Sequence, residues 1–216
     1  MTHSYNCQMK VLAVLLVLLV LAFCPLIQAQ EVTVTADSIP DESISQAYMT
    51  LDRKCRTLVS MHAEAAKTTA ACKEVADEAD RFAANSHFIT RRAAYVFYTT
   101  ALIQARKPQD AVAVGDKAVA IVLLGHDDGS GSSAAYSVRG QAKALAGDLS
   151  GADKDLEKAE AYQRNALSGP AGQSLNAEYT RVLKGLLNFH AQVLTALGKQ
   201  SAAGIKLDQA NRLSLR

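Results

Sequence analysis

The side chains that could carry chemistry in this sequence are histidines, cysteines and acids, whose spacing can be compared with known kinds of site. Beyond residue 29 the histidines are widely separated, at His62, His87, His126 and His190. Only the run His126-Asp127-Asp128 places an imidazole beside carboxylates, in a Gly/Ser-rich loop. It lacks the further oxygen ligands of a calcium-binding loop, so we interpret it as a solvated turn and predict no metal site.

Nucleophilic catalysis is not indicated either. Cys55 with a distant histidine could form a thiol nucleophile, but a disulfide accounts for Cys55 more simply. No Gly-x-Ser-x-Gly motif occurs, and Gly129-Ser130-Gly131 lacks the lysine and the preceding strand of a phosphate-binding loop. The charged run 153–160 (DKDLEKAE) offers pairs four residues apart and predicts a solvated helix face. We therefore predict no enzyme activity and no cofactor.

Residues 1–29 have the layout of a secretory signal peptide. Lys10 is their only charged residue, and it precedes the uninterrupted apolar run 11–23. Pro25 interrupts the apolar stretch, and Ala29 is a small residue placed for cleavage before Gln30. An uncleaved membrane anchor is the alternative. It is less favoured because a spanning helix needs about 20 apolar residues and Pro25 shortens this one.

The charge balance and the cysteines agree with export. Loss of the leader would leave 22 basic residues against 21 acidic ones, a net charge of +1. This balance disfavours a nucleic-acid partner and a polybasic membrane contact, since both need a basic face. Cys55 and Cys72 would remain as a pair in an oxidising compartment. We therefore expect a periplasmic or secreted protein with no stable membrane insertion after cleavage of the leader.

Composition and turn residues predict an all-α fold. Apolar residues make up 49% of the chain and aromatic residues only 6%, which favours helices packed through small side chains. Turn residues divide the chain into seven or eight helices that would pair as antiparallel hairpins. These turn signals lie at Asn85-Ser86, Lys107-Pro108, 126–133, Gly147-Asp148, 168–172 and Gly198-Lys199.

The stretch 133–166 carries a repeat pattern. Large and small residues alternate around a turn glycine, at Tyr136, Gly140, Gly147, Leu149, Ala152, Leu156 and Ala159. The small residues would let helices approach closely, and the large ones would fill the remaining volume. This spacing resembles the 34-residue tetratricopeptide repeat (TPR), a pair of antiparallel helices.

The same frame fits on both sides, at 92–125 and 184–216. The first match has Tyr95, Tyr98, Leu102, Pro108, Ala111 and Ala118 in place, although Gly115 stands where a large residue is usual. The second match has Leu187, Ala191, Leu194, Gly198, Ala203, Leu207 and Ala210. The resemblance to the TPR family implies a short right-handed α-solenoid of stacked helix pairs. Segments 126–132 and 167–183 would be insertions between its repeats.

The region before these repeats does not fit the frame. Residues 30–39 are expected to form a flexible arm, and 40–85 a capping hairpin that completes a domain over 40–216. The two helices would pack through Leu51, Leu58 and Met61 on one and Val75, Ala79 and Phe82 on the other. Cys55 and Cys72 would form a disulfide across a turn near 66–69, the alternative being two separate buried thiols.

The resemblance also implies a concave surface lined by the first helix of each repeat, where partner peptides lie in the TPR family. The corresponding residues here are Val96, Thr100, Ile103, Gln104, Ser137, Gln141, Leu145, Asn188, Gln192 and Thr195. This mixture of uncharged polar and apolar residues suits an extended peptide or a helix of a partner protein. Alternatively, the arm 30–39 or the segment 167–183 fills the groove.

The leading hypothesis is therefore a protein–protein interaction scaffold that acts outside the cytoplasm. A second hypothesis is a small-molecule binder or enzyme accessory subunit, with a pocket near 167–183 to which Tyr162, Tyr179 and His190 contribute. A third is a structural protein that self-associates through exposed terminal repeats.

Overall fold

A computed structural model describes residues 46–82, 87–126, 129–169 and 174–213. Within these ranges the fold is all-helical, as predicted, and eight helices follow one another in four pairs. The leader, the arm 30–39 and the start of the first hairpin lie outside the described residues. In chain order the helices are α1 (Gln46–Ser60), α2 (Ala65–Ala79), α3 (Phe88–Gln104), α4 (Pro108–Leu123), α5 (Ser130–Leu145), α6 (Leu149–Ser168), α7 (Asn176–Ala196) and α8 (Gln200–Arg212).

The two helices of every pair are joined by the same kind of turn. One residue in each turn has a positive φ angle, namely His62, Arg106, Gly147 and Gly198. The next residue donates its N–H to the carbonyl five positions earlier, as Lys107 does to Leu102 at 2.9 Å. This bond satisfies a carbonyl that the end of the first helix leaves without a partner. Glycine adopts the positive φ without steric cost, whereas at His62 and Arg106 the conformation costs about 1 kcal/mol.

The second helices of the four pairs also share their buried positions. The fourth and the eleventh residue of each is at most 4% exposed, and most are small. These residues are Thr68, Ala111, Ala152 and Ala203 at the fourth position, and Val75, Ala118, Ala159 and Ala210 at the eleventh. The first hairpin therefore follows the same scheme as the others, although the sequence frame excluded it. Its two residues at these positions are Thr68 and Val75, whereas the other three pairs have alanine at both. A sequence comparison based on the alanines therefore missed the first pair.

Packing runs from pair to pair along the chain. Each helix contacts the next, and the first helices of successive pairs also contact each other: α1 with α3, α3 with α5 and, more narrowly, α5 with α7. The main core follows this stack from Ala76 through Tyr136 to Val193. Each pair thus buries apolar surface against its neighbours, which a single hairpin could not do alone.

Two glycines allow close contacts in this stack. A Cβ atom at Gly140 would lie 3.2 Å from Cγ of Leu156 and 3.4 Å from the carbonyl oxygen of Ala152, so α5 approaches α6 closely here. A Cβ atom at Gly115 would lie 3.1 Å from the side chain of Arg139 in α5. The aliphatic stem of Arg139 therefore occupies the volume that a large residue at 115 would take.

The first pair differs from the prediction at its turn. Residues 61–64 reverse the chain, whereas the predicted turn 66–69 lies inside α2. Met61 follows the end of α1 and is 71% exposed, so its predicted place in the core is wrong. No glycine or proline marks this turn, which is why the sequence misplaced it. Phe82, just beyond α2, does pack as expected, with its ring centroid 5.3 Å from that of Tyr48.

Cys55 in α1 and Cys72 in α2 are joined by a disulfide, in agreement with the predicted pairing. Both side chains are fully buried. Val59 and Val75 belong to the same apolar cluster, which forms the core of the first pair. The cross-link therefore ties together the two helices of the first described pair, which has a neighbouring pair on one side only within the described residues.

Removal of this cross-link in Cys55→Ala/Cys72→Ala is expected to lower the free energy of unfolding by about 3 kcal/mol, because the bond restricts the unfolded chain. The two residues are 17 positions apart in the sequence. Guanidinium denaturation with and without a reductant measures the change. The reductant should destabilise the wild type and leave the double variant unaffected, whereas a wild type that is insensitive to reductant would contradict the prediction.

Candidate functional site

The predicted groove residues lie on the first helices of the second, third and fourth pairs. Val96, Thr100, Ile103 and Gln104 are on α3, Ser137, Gln141 and Leu145 on α5, and Asn188, Gln192 and Thr195 on α7. Their exposure differs from helix to helix. This difference determines which of them a partner could reach.

On α3 and α5 most of these side chains face other parts of the protein. Ile103 is 7% exposed, and Gln104 donates through Nε2 to the carbonyl of Val59 at 3.2 Å, which ties α3 to the first pair. Ser137 and Gln141 are each 8% exposed, and Gln141 donates to the hydroxyl of Ser137 at 3.4 Å. These positions therefore contribute more to the joints between pairs than to an open surface.

On α7 the groove residues are accessible. Gln192 and Thr195 are exposed and Asn188 is half-buried. Thr195 donates only to the carbonyl of Ala191, one turn earlier in its own helix. Of the ten predicted positions, those of α7 therefore offer the most accessible polar surface.

The charged run 153–160 was wrongly predicted to be a solvated face. Asp153, Asp155 and Glu160 are 7%, 3% and 4% exposed, and their salt bridges reach other helices rather than residues four positions away. Only Lys154, Glu157 and Lys158 of this run are exposed. The acids pair with basic residues that are distant in the sequence. The spacing of charges within the run 153–160 therefore could not predict these salt bridges.

The largest of these buried arrangements is the His190 cluster, defined as His190, Asp153, Glu160, Lys199 and Lys206. His190 is 0% exposed, with Nδ1 2.5 Å from Oε1 of Glu160 and Nε2 2.7 Å from Oδ1 of Asp153. The second oxygen of each acid accepts from a lysine, Asp153 from Lys199 at 2.6 Å and Glu160 from Lys206 at 2.7 Å. The cluster joins α6, α7 and α8.

The geometry of the ring, with ionised acids on both sides, favours a protonated His190. A neutral imidazole has one N–H, whereas both ring nitrogens of His190 face carboxylate oxygens, which accept and do not donate when ionised. Burial lowers the pKa of His190, but the hydrogen bonds that the ring donates to Glu160 and Asp153 outweigh it and raise the pKa above its ordinary 6.5. Burial raises the pKa of each acid, yet the bonds to the lysines and to His190 bring both below their ordinary values.

A second arrangement, the Asp155 cluster, joins the middle pairs. Asp155 accepts two bonds from Arg139, Nε to Oδ2 at 2.7 Å and Nη2 to Oδ1 at 2.6 Å. Lys143 lies 2.9 Å from Oδ2 of Asp155, and Arg139 also donates to Asp116 of α4 at 2.9 Å. Burial lowers the pKa of Arg139, but its bonds to Asp155 and Asp116 raise it overall, so the guanidinium stays charged.

Helix periodicity places the two clusters on opposite sides of α6. Asp153 and Glu160 are seven residues apart and share one face, whereas Asp155 is about 200° around the helix from Asp153. One face of α6 is thus linked by charges to α7 and α8, and the other to α5 and, through Arg139, to α4. These links specify how neighbouring pairs are joined.

The remaining histidines have structural contacts. His62 forms the first turn, with its ring nitrogen 3.3 Å from Nε2 of Gln104. His87 precedes α3 and its ring lies against Phe82. The carbonyl of His126 accepts from Arg92 at 2.7 Å. Asp127 and Asp128, its predicted companions, lie outside the described residues.

Metal binding and membrane insertion find no support in the parts of the chain that the structure describes. These ranges contain no group of three or more His, Cys, Asp or Glu side chains that could hold a metal ion. In the His190 cluster the two acids lie at different ring nitrogens and so do not converge on one point. Among the eight described helices, none combines the length and the apolar character needed to cross a membrane.

The residues of the alternative pocket near 167–183 are each engaged with neighbouring helices. The ring of Tyr162 stacks on Tyr136, with centroids 5.7 Å apart. Tyr179 is 7% exposed, and its carbonyl accepts from the buried amide of Gln163 at 3.2 Å. Part of the segment itself, 170–173, lies outside the described residues.

Comparison with known proteins adds no relative from which a function could be inferred. No protein-family model matches the chain, and no curated protein or solved structure is significantly similar to it.

Proposed function

We propose that this protein is an exported interaction scaffold in which four helical hairpins stack as a TPR-like solenoid and bind a peptide or helix of a partner protein. The observation that carries the proposal is the recurrence of one hairpin design in all four pairs. Each pair has the same hydrogen-bonded turn and the same two buried positions in its second helix. Repeated hairpins of this kind generate extended surfaces, which suit long, narrow partners.

The contacts between first helices support the position proposed for the groove. α1 contacts α3, α3 contacts α5 and α5 contacts α7, so one helix from each pair would line a common side. The narrow contact between α5 and α7, together with the exposure of Gln192 and Thr195, favours the α7 end as the place where a partner binds. The polar, uncharged character of this surface fits backbone amides of a peptide better than a strongly charged ligand.

Export is supported by two independent features. The leader has the three regions of a signal peptide. The described part contains a buried disulfide, a bond that persists in oxidising compartments. A partner is therefore expected among periplasmic or secreted proteins.

The test is capture of a partner by crosslinking in the native extracellular or periplasmic fraction. The variant Gln192→Arg/Thr195→Arg places two bulky charges on the α7 surface. A matched control, Ser201→Arg/Asn211→Arg, places the same charges at exposed positions of the second helix α8. We expect wild type and control to capture the same protein in similar amounts. The α7 variant should capture about ten times less of it, as for substitutions at a binding hot spot.

Two results would contradict the proposal. One is capture that is equal for the α7 variant and the control, which would place the binding surface elsewhere. The other is recovery of no protein except further copies of this chain, which would favour self-association instead. Circular dichroism of the three proteins verifies that the arginines leave the helical fold intact.

A further inference from the structure

The last hairpin, α7–α8, is attached to the rest of the protein largely through α6. α7 packs on α6 and only narrowly on α5, while α8 packs on α7. Leu167 of α6 packs against the apolar cluster that Ala210 of α8 forms with Leu183 and Leu187 of α7. α8 and α6 also have polar contacts: Lys206 with Glu160 at 2.7 Å, and Arg164 with Gln209 at 3.0 Å. At the centre of this joint lies the His190 cluster.

We propose that the His190 cluster is a pH-sensitive clasp, which holds the α7–α8 hairpin on α6 while His190 carries a proton and releases it when that proton is lost. The clasp acts on the same hairpin that presents Gln192 and Thr195. It does not depend on the proposed scaffold function, because it concerns only how the hairpin is attached.

The two hydrogen bonds of the His190 ring depend on its protonation. With His190 protonated, Nδ1 and Nε2 each donate to a carboxylate, at 2.5 and 2.7 Å. After loss of one proton, a ring nitrogen carries a lone pair that faces an anionic oxygen. His190 is 0% exposed and its two acids are almost buried, so water has little access to separate the two acceptors while the hairpin stays in place. Opening the joint removes this repulsion.

The charged groups around the ring do not replace the lost proton. Asp153 and Glu160 face it from α6, and Lys206 of α8 and Lys199 of the α7–α8 turn bind the outer oxygens of those acids. The charged side chains of α5, Arg139 and Lys143, bind Asp155 on the opposite side of α6. No lysine can move to the ring nitrogen without leaving its own carboxylate oxygen unpaired.

The direction of the pH effect follows from linkage. The pKa of His190 in the folded protein lies above its ordinary value of 6.5. The stabilisation is therefore fully present below about pH 6.5 and is lost as pH rises through the folded pKa. Asp153 and Glu160 have lowered pKa values, so their contribution is present above about pH 4.5 and is lost as pH falls through their folded values. The clasp is strongest in the mildly acidic range between these limits.

The experiment follows the wild-type protein from pH 5.5 to 9.5. The ¹⁵N shifts of the His190 ring report its protonation, and amide hydrogen exchange, corrected for intrinsic rates, reports local opening. We expect an imidazolium at pH 6. Above the folded pKa, protection of α7 and α8 should fall by up to about tenfold per pH unit, as for loss of one proton. Protection of α1–α4 should change by less than about threefold.

Each other outcome overturns the proposal. A neutral His190 ring at pH 6 would remove the charge on which the clasp depends. Protection that falls equally in all helices would show loss of global stability without a local clasp. Constant protection in α7–α8 after the ring has become neutral would show that deprotonation does not open the joint, and a ring that is still protonated at pH 9.5 would show that there is no switch in this pH range. Where the variant folds, His190→Gln provides a second check, since it should abolish the alkaline change in protection.

Discussion

His190→Gln is expected to lower the free energy of unfolding by about 4 kcal/mol. Glutamine can donate to one of the two buried carboxylates but not to both, and it brings no positive charge. Removal of one member of a buried charged group costs about 3–5 kcal/mol, because its partners remain desolvated and incompletely paired. Urea denaturation at pH 6, where the clasp is strongest, measures the loss.

A neighbouring substitution separates this effect from a general sensitivity of α7. Gln192→Ala lies two residues further along the same helix at an exposed position, and should change stability by less than about 0.5 kcal/mol. A loss below about 1 kcal/mol for His190→Gln would show that the buried charges are not stabilised through the imidazole. His190→Leu together with Asp153→Leu and Glu160→Leu should be less harmful than the sum of the single changes, since no acid is then left unpaired.

Asp155→Asn is expected to lower the free energy of unfolding by about 3 kcal/mol. The side chain of Asp155 is 5% exposed and accepts both bonds of the Arg139 fork, while Lys143 lies against its second oxygen. Asparagine keeps the shape but loses the charge, so two cations are left near a neutral amide. The expected loss is at the lower end of the range for buried pairs, because Arg139 retains its salt bridge with Asp116.

The control for Asp155 lies on the same helix. Glu157→Gln also removes one negative charge from α6, but its side chain is exposed, so it should cost no more than about 0.5 kcal/mol. Thermal denaturation of both variants at two salt concentrations compares them. Equal effects for positions 155 and 157 would contradict the assignment of Asp155 as the charged link between α6 and α5.

The helical fold and the pairing of three of its hairpins were predictable because their signals are local. Gly147 and Gly198 mark two turns by their freedom at positive φ, and Pro108 marks the start of a helix. The first pair lacked such signals. His62 occupies the same turn position as the glycines, and a histidine is a much weaker turn signal than a glycine, although it adopts positive φ more often than most other residues.

The helix positions of the proposed groove residues were predictable, but the accessibility of their side chains was not. The sequence frame places Ser137 and Gln141 on the same helix face as the corresponding residues of a TPR, yet both are almost buried. The burial of a side chain on the first helix of a pair depends on how closely the next pair packs against that helix. This distance depends on side chains from other helices. Gln192 and Thr195 stay exposed under the same frame.

The set of helices, most of their turns and the small residues at their crossings were predictable, because each depends on residues within one or two turns of one another. The role of the charges, by contrast, depends on contacts between distant parts of the chain. Asp153 pairs with residues 37 and 46 positions away, and Glu160 with residues 30 and 46 positions away. In the sequence nothing distinguishes these acids from their exposed acidic neighbour Glu157. Only the stacking of α7 and α8 on α6 removes them from water, and with that they become the groups on which the attachment of the last hairpin depends.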